Sequence, residues 1–183
     1  MTPHDSGTIL AISGSLKRSS VNRAALCAAA AAAAWDGISV TIDDSVRGLP
    51  HFDPDLETRP PEAVLQFRAA CESAAGVLFA VPEYVFGIPG SFKNALDWTV
   101  GAGSLYRKPV TVLTVAPPGR GEHVRRALEL VMQALDADVV HHSVPVVSSD
   151  RDEHGEIANP GIIDELLAVV AELANRASRA AAA

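Results

Sequence analysis

Short apolar runs alternate along the chain with longer segments in which apolar residues recur at helical spacing. Strands that are apolar at nearly every position are typical of a parallel sheet with helices on both faces. The pattern therefore predicts one α/β domain over residues 1–183, with 1–7 and 177–183 frayed. The predicted strands lie near 8–13, 38–42, 76–81, 109–115 and 139–147, and the helices near 20–34, 60–74, 91–100, 121–136 and 160–176.

Composition and charge exclude several classes of protein. The chain has 183 residues, 48% of them hydrophobic, with 15 basic and 22 acidic residues and a net charge of −7. The sequence has no basic stripe of the kind that binds nucleic acid, so a nucleic-acid partner is not expected. It also lacks a strongly apolar stretch of about 18 residues, so no membrane span is expected. The alanine run 28–34 follows a complete strand and loop, so it is not an export signal, and we expect a cytoplasmic protein. Cys27 and Cys71 lack metal-site spacing, and we interpret them as structural thiols with no metal.

The loop after the first strand, "SGSLKRSSVNRAAL", is rich in hydrogen-bond donors and cations. In a parallel α/β sheet, ligands bind beyond the carboxyl ends of the strands. A helix N-terminus there carries unpaired N–H groups and partial positive charge, which suits a phosphate. The same residues also fit a plain serine N-cap with solvated cations, and the loop alone does not decide between the two. The residues concerned are Ser15, Lys17, Arg18, Ser19, Ser20 and Asn22.

The loop after the third strand, "VPEYVFGIPGSFKNALDW", combines aromatic residues with turn formers. Gly87, Pro89 and Gly90 predict a compact turn before the next helix. A flat aromatic ligand would fit on such a ledge, with Tyr84 and Phe86 beside it, whereas Trp98 is predicted to lie in the core. The chain has no GxGxxG, P-loop, GxSxG or CxxC pattern, so redox chemistry here would depend on a cofactor.

The two loops together resemble the NADPH-dependent FMN reductases, which are flavodoxin-like. "GSLKRSSVNRAAL" looks like that family's phosphate-loop motif, and "PEYVFGIPGSFKNALDW" looks like its second signature. "LPHFDPDLE" and "APPGRGEHVRRAL" stand where the family has comparable segments, so the resemblance covers most of residues 8–140. It implies a three-layer α/β sandwich with a five-stranded parallel sheet in the order 2-1-3-4-5.

The resemblance also implies which residues bind FMN. Lys17 replaces the family's usual arginine, although Arg18 lies beside it, and Val85 replaces the usual asparagine after the tyrosine. Tyr84 is the best candidate for shaping the acceptor pocket, and no side chain is assigned as an acid or base. The implied set is Ser13, Ser15, Lys17, Arg18, Ser20 and Asn22 around the phosphate, Pro82, Glu83, Tyr84, Val85 and Phe86 around the ring, and Pro118, Gly119 and Arg120 in the third loop.

The implied activity is hydride transfer from NADPH or NADH through FMN to a small acceptor such as free flavin, a quinone or an azo dye. One pocket used in turn by donor and acceptor predicts ping-pong kinetics. The family resemblance further implies a homodimer or homotetramer. Two alternatives stay open from the sequence: a non-enzymatic flavodoxin-like electron carrier, and a regulatory module.

Overall fold

A computed structural model describes residues 7–182, in which strands and helices alternate as the apolar pattern predicts. Most predicted boundaries are correct to within about two residues. The strands are β1 (Ile9–Ser13), β2 (Val40–Asp43), β3 (Gly76–Ala80), β4 (Pro109–Ala116) and β5 (Asp138–Pro145). The helices are α1 (Val21–Trp35), α2 (Glu62–Ser73), α3 (Gly90–Val100), α4 (Glu122–Ala134) and α5 (Pro160–Ala181).

The five strands form one parallel sheet in the order β2-β1-β3-β4-β5, which confirms the predicted topology. β1 lies between β2 and β3, with Ile9 opposite both Val40 and Gly76. β1 and β3 are buried at every position, as expected for strands covered on both faces. The carboxyl ends of β2, β1 and β3 are therefore adjacent at one edge of the molecule.

Helices cover both faces of the sheet and enclose two apolar cores. α1 and α5 pack on one face, where the small alanines of α1 allow close approach to Leu166, Val170 and Leu173. On the other face, α2, α3 and α4 enclose a core that includes Phe67 and Phe79. The three layers are those of the predicted sandwich.

The C-terminal helix is longer than predicted. α5 continues to Ala181, so the expected fraying is wrong for residues 177–181. Ala177 is buried in the α1 and α5 core, and alanine is the best helix former, so the tail continues the helix. Gly7 is exposed and lies outside the regular elements, whereas residues 1–6 and 183 lie outside the described part. Among the helices that the structure describes, none has the length and apolar character needed to cross a membrane.

The long segment 43–59 after β2 is anchored to α3. Trp98 is fully buried, as predicted, and its indole N–H donates to the Pro50 carbonyl at 2.9 Å. Asn94 donates to the same carbonyl at 2.9 Å and accepts from the Phe52 amide at 2.7 Å. Because these bonds hold the backbone from both sides, the residues just after β2 have a defined position beside the β1 loop.

Candidate functional site

The loops after β1 and β3 lie in direct contact at the carboxyl edge of the sheet. The Gly14 amide donates to the Ala80 carbonyl at 2.8 Å. A Cβ atom at Gly14 would lie 3.0 Å from a Val81 methyl and 3.3 Å from the Pro82 ring. Glycine therefore favours this close approach, because a Cβ atom would push Val81 and Pro82 away, and the approach brings the two predicted ligand loops into contact.

The loop after β1 is shaped by its own serine side chains. The Ser13 hydroxyl donates to the Ser15 carbonyl and accepts from the Ser15 amide, both at 3.2 Å. Ser20 is the N-cap of α1, and its hydroxyl oxygen accepts from the Asn22 amide at 3.2 Å. The N-cap interpretation is thus correct for Ser20, and its hydroxyl hydrogen still remains available to a ligand. Ser13, by contrast, uses its hydroxyl within the loop.

Several polar groups of this loop and of the first turn of α1 have no partner among the described residues. The backbone N–H groups of Leu16, Arg18 and Ser19 donate to no described residue. Asn22 is 1% exposed, and its side-chain oxygen finds no donor within residues 7–182. Buried polar groups are normally paired, so the Asn22 oxygen is typical of a site that a polar ligand completes, whereas the amides of Leu16, Arg18 and Ser19 lie on exposed residues that a ligand can reach.

A cavity of about 380 Å³ opens between this loop and the segment after β2. Lys17 and Arg18, two of the residues that the resemblance assigns to the phosphate, line it together with Arg47, which sequence reasoning missed. The Arg47 guanidinium donates to the Leu16 carbonyl. Arg23 also lines the cavity, but Asp44 binds it through both carboxylate oxygens, at 3.3 and 2.9 Å. These hydrogen bonds raise the pKa of Arg23 and compensate its charge.

The strand order could have revealed Arg47. The loop after β2 must lie beside the loop after β1 if those strands are neighbours, as the order 2-1-3-4-5 requires. A cation shortly after β2, such as Arg47, was therefore a candidate for the same site.

Residues 84–87 form a tight turn that projects from the site. Tyr84 and Gly87 exchange two backbone hydrogen bonds at 3.1 and 3.0 Å. The two residues between them are left-handed, with φ of 50° at Val85 and 57° at Phe86. Positive φ at both central positions is typical of a type I′ turn, which favours asparagine and glycine and disfavours a β-branched residue. Val85 is 99% exposed and Phe86 71% exposed, so the turn presents an apolar surface to solvent.

Tyr84 links this turn to the loop after β1. Its hydroxyl lies 3.1 Å from the Ser15 hydroxyl, and the two share a hydrogen bond. Ser15 also accepts from the Lys17 amide at 3.3 Å. The predicted residues Ser15, Lys17 and Tyr84 are thus brought together across the sheet edge.

Glu83 has a structural role that the sequence did not indicate. Its carboxylate accepts from the amides of His123 and Val124 at 3.0 and 3.2 Å. These are first-turn amides of α4, whose N-cap residue is Gly121 and offers no side chain. Glu83 therefore caps α4, and Phe86 packs edge-on against the ring of His123 in the same first turn, with the ring centroids 4.8 Å apart.

The third predicted loop forms a separate pocket. Pro118 and Gly119 form a turn in which the Arg120 amide donates to the Pro117 carbonyl at 3.1 Å, with φ of +78° at Gly119. With Ser143 and other residues they line a pocket of about 120 Å³. Ser15 and Lys17 line the cavity of about 380 Å³ beside the first loop, and that cavity shares no lining residue with this pocket.

The two cysteines show no activated thiol. Cys71 is buried, and burial raises the pKa of its thiol to about 12. Cys27 is half-buried, and burial also raises its pKa despite the nearby Arg23 guanidinium. Both residues remain protonated at neutral pH, as expected of structural thiols.

Known proteins with similar sequences include quinone reductases, an FMN reductase and an azoreductase. The chain is 30% identical over 171 residues to a probable NADPH:quinone oxidoreductase of Oryza sativa subsp. japonica, covering 86% of this chain and 82% of that protein. It is also 30% identical over 161 residues to a 2-hydroxy-1,4-benzoquinone reductase of Burkholderia sp., covering 86% of each.

A solved structure and a family model agree with these relatives. The flavoenzyme NAD(P)H:(acceptor) oxidoreductase FerB of Paracoccus denitrificans superposes with a TM-score of 0.75 at 25% identity, over 94% of this chain and 98% of that one. The family model for NADPH-dependent FMN reductases matches residues 8–152, which include β1 to β5 and all three loops of the site. The chain therefore belongs to the NADPH-dependent FMN reductase family, with FMN as its cofactor and NAD(P)H as its electron donor.

Proposed function

We propose that the protein transfers electrons from NAD(P)H through FMN to a small quinone-type acceptor. The observation that carries the proposal is the contact between the two ligand loops, made by Gly14 and by the Ser15–Tyr84 hydrogen bond, in a member of this family. The names of the relatives favour a quinone over free flavin or an azo dye as the acceptor.

The loop after β1 fits the phosphate of FMN. A phosphate monoester carries about two negative charges at pH 7 and accepts several hydrogen bonds. The free amides of Leu16, Arg18 and Ser19, in the loop that leads into α1, supply such donors. We assign Lys17 to the same phosphate, with Ser15 and Ser20 as hydroxyl donors. Asn22, whose side-chain oxygen has no described donor, suits a ligand hydroxyl.

The 82–86 segment fits the isoalloxazine ring through its backbone and its apolar surface. Pro82 lies next to the loop after β1, and Tyr84 to Phe86 present exposed apolar atoms at the same edge. We assign the ring to this segment, with Tyr84 shaping the acceptor pocket. Glu83 acts indirectly, because its carboxylate holds α4 against the segment. We also assign Pro118, Gly119 and Arg120 to the flavin, as contacts at the outer side of the ring. They line a pocket of their own.

FMN, when bound, supplies the redox chemistry, because it accepts hydride from a nicotinamide and reduces a second substrate in turn. The chain contributes position and exclusion of water. Pro82, Tyr84 and Phe86 form the wall against which a flat ring would stack. We propose that donor and acceptor use this pocket in succession, which gives ping-pong kinetics.

The test begins with the spectrum of the purified protein. We expect a flavin absorbance that bleaches on anaerobic addition of NADPH or NADH, and catalytic NADPH oxidation with menadione. Double-reciprocal plots at several menadione concentrations should be parallel, whereas intersecting lines would contradict the shared pocket. Flavin that neither nucleotide reduces would favour the electron carrier, and protein that binds no FMN would favour the regulatory module.

We also propose a symmetric homodimer, alone or within a tetramer, formed through α3 and α4. An apolar groove of about 230 Å³ runs between these helices, lined in part by Leu96, Val131 and Leu135. Val100 and Leu130 at its rim are 60% and 70% exposed, which is unusual for adjacent large apolar residues. A second copy of the same face would bury them by a two-fold contact.

Leu130→Asp tests the dimer, because it introduces a charge at the groove. We expect light scattering to show a dimer for the wild type and a monomer for Leu130→Asp. Leu65→Asp is the control, since Leu65 is also exposed but lies on α2. Light scattering that shows the wild type as a monomer, under conditions in which it reduces menadione, would contradict the proposal.

A further inference from the structure

The cavity beside the β1 loop holds more uncompensated positive charge than one phosphate requires. Lys17, Arg18 and Arg47 line it, and none of them pairs with a carboxylate within residues 7–182. Arg23 is a different case, because Asp44 already neutralises it at 2.9 Å. The start of α1 adds about half a positive charge.

The balance of charge leaves Arg47 in excess. A phosphate monoester carries roughly −1.5 to −2 at pH 7, which Lys17 and Arg18 compensate without a third cation. The cavity of about 380 Å³ is also large for a single phosphate group, since pockets for whole small molecules begin at about 300 Å³. A second anionic group fits both the remaining charge and the space.

Arg47 is held in place by the fold. Its neighbour Val46 is 5% exposed, and Trp98 and Asn94 both donate to the Pro50 carbonyl at 2.9 Å. The guanidinium donates to the Leu16 carbonyl, which leaves further N–H groups free because arginine has five. Arg47 is thus a donor that lines the cavity, with its backbone anchored beside buried Val46 and its guanidinium in contact with the Leu16 carbonyl.

We propose that Arg47 binds a second phosphate monoester, the 2′-phosphate of NADPH, and so selects NADPH over NADH. The proposal rests on the proposed function. FMN brings one phosphate monoester, which the free amides of the β1 loop take. The electron donor can bring another, and this group is the only difference between NADPH and NADH. Arginine suits it because its planar fork binds phosphate through paired hydrogen bonds.

The first experiment compares the two donors in Arg47→Gln with FMN saturating. We expect kcat/KM for NADPH to fall about 5- to 20-fold, as for loss of one partly exposed charge-assisted contact, with NADH changed less than about twofold. Arg59→Gln is the matched control, because Arg59 is exposed on the same segment and pairs with no described carboxylate. It removes the same net charge, so its effect should be within about twofold for both donors.

The second experiment measures binding without turnover. Calorimetry on the FMN-loaded protein should show tighter binding of adenosine 2′,5′-bisphosphate than of adenosine 5′-monophosphate. Arg47→Gln should remove most of that difference, and Arg47→Lys, which keeps the charge, should retain part of it. Circular dichroism of each variant controls for folding, since Arg47 also contacts the Leu16 carbonyl.

The outcomes separate the possible sources of the phosphate. Equal losses with NADPH and NADH, or a weaker Kd for FMN in Arg47→Gln, would assign Arg47 to the FMN phosphate and overturn the proposal. A wild type without preference for NADPH would also overturn it. A wild type that oxidises neither donor would refute the proposed function, while calorimetry with the two adenosine nucleotides would still test Arg47.

Discussion

The two ligand loops of this protein reach their shapes in opposite ways. The loop after β1 is polar and internally bonded, because the hydroxyl oxygens of Ser13, Ser15 and Ser20 each accept a hydrogen bond from a nearby backbone amide. The 84–87 turn is apolar and exposed, and it holds Val85 and Phe86 at positive φ. The first loop is thus held in shape by its own serine side chains. The second carries conformational strain and depends on its links to Ser15 and to α4.

One site thus combines a rigid polar loop after β1 with an adaptable apolar turn at residues 84–87. Donors for a charged group must be fixed in advance, because reorganising them on binding would cost free energy. An apolar wall for flat rings of different kinds needs no fixed polar geometry. The strain at Val85 is a cost that the surrounding contacts offset, as is common at functional sites. Four variants, the first of them double, test this division, beginning with the largest expected effect.

Replacing Lys17 and Ser20 together with alanine should weaken FMN binding by about 2–4 kcal/mol, because two contacts to the phosphate are lost and are partly redundant. Fluorescence titration of the FMN-free protein measures this. Riboflavin, which lacks the phosphate, should bind equally well before and after the change. Asn159→Ala is the control for lost capping, because Asn159 caps α5 by accepting from Gly161. Unchanged FMN affinity in the double variant would remove the loop from the site.

Replacing Glu83 with alanine should lower the free energy of unfolding by about 1–2 kcal/mol, since two first-turn amides of α4 lose their acceptor. Urea denaturation of the FMN-free protein gives the value. Glu83→Gln keeps one acceptor oxygen, so its loss should be smaller. An alanine variant as stable as the wild type would show that water caps α4 equally well.

Replacing Val85 with asparagine should stabilise the FMN-free protein by about 1 kcal/mol, because asparagine tolerates the left-handed conformation that valine resists. The same urea titration measures the gain. Val85→Thr is the matched control, because threonine is also β-branched and resists the same left-handed conformation, so no gain is expected from it. A loss of stability at position 85 would mean that the valine side chain is held by contacts beyond this chain.

Replacing Tyr84 with phenylalanine should cost about 0.5–1 kcal/mol, the value of one part-buried hydrogen bond to Ser15. Tyr106→Phe is the control, because Tyr106 is similarly exposed and its hydroxyl has no partner among the described residues. Thermal unfolding of the two variants shows the difference. Equal melting temperatures would mean that the bond between the two loops contributes nothing net.

The sequence predicted the frame of the fold well and the site in part. Strands such as β3 are buried on both faces, so their apolar runs are readable without any tertiary information. The end of α5 was misjudged, because burial of Ala177 against α1 is a tertiary contact that the alanine-rich tail does not announce. Ser20 was correctly placed at the helix start, where local capping chemistry decides.

The role of Glu83 could not be predicted from its own surroundings. It follows Pro82 directly, and the sequence places it on the ledge, yet its carboxylate binds amides forty positions along the chain. The same holds for Tyr84, whose hydroxyl partner Ser15 is separated from it by 69 residues. Both pairings arise because β3 lies beside β1 and β4, which brings distant loops to one edge.

The alternation of strands and helices and the chemical character of each loop follow from the sequence, because the spacing of apolar residues and helix capping depend on residues close together along the chain. The tertiary structure alone decided which charges meet. Arg47 joins Lys17 and Arg18 only because β2 pairs with β1 and because Trp98 anchors the segment after β2. Electrostatic interactions depend on distance in space, and sequence separation does not encode that distance.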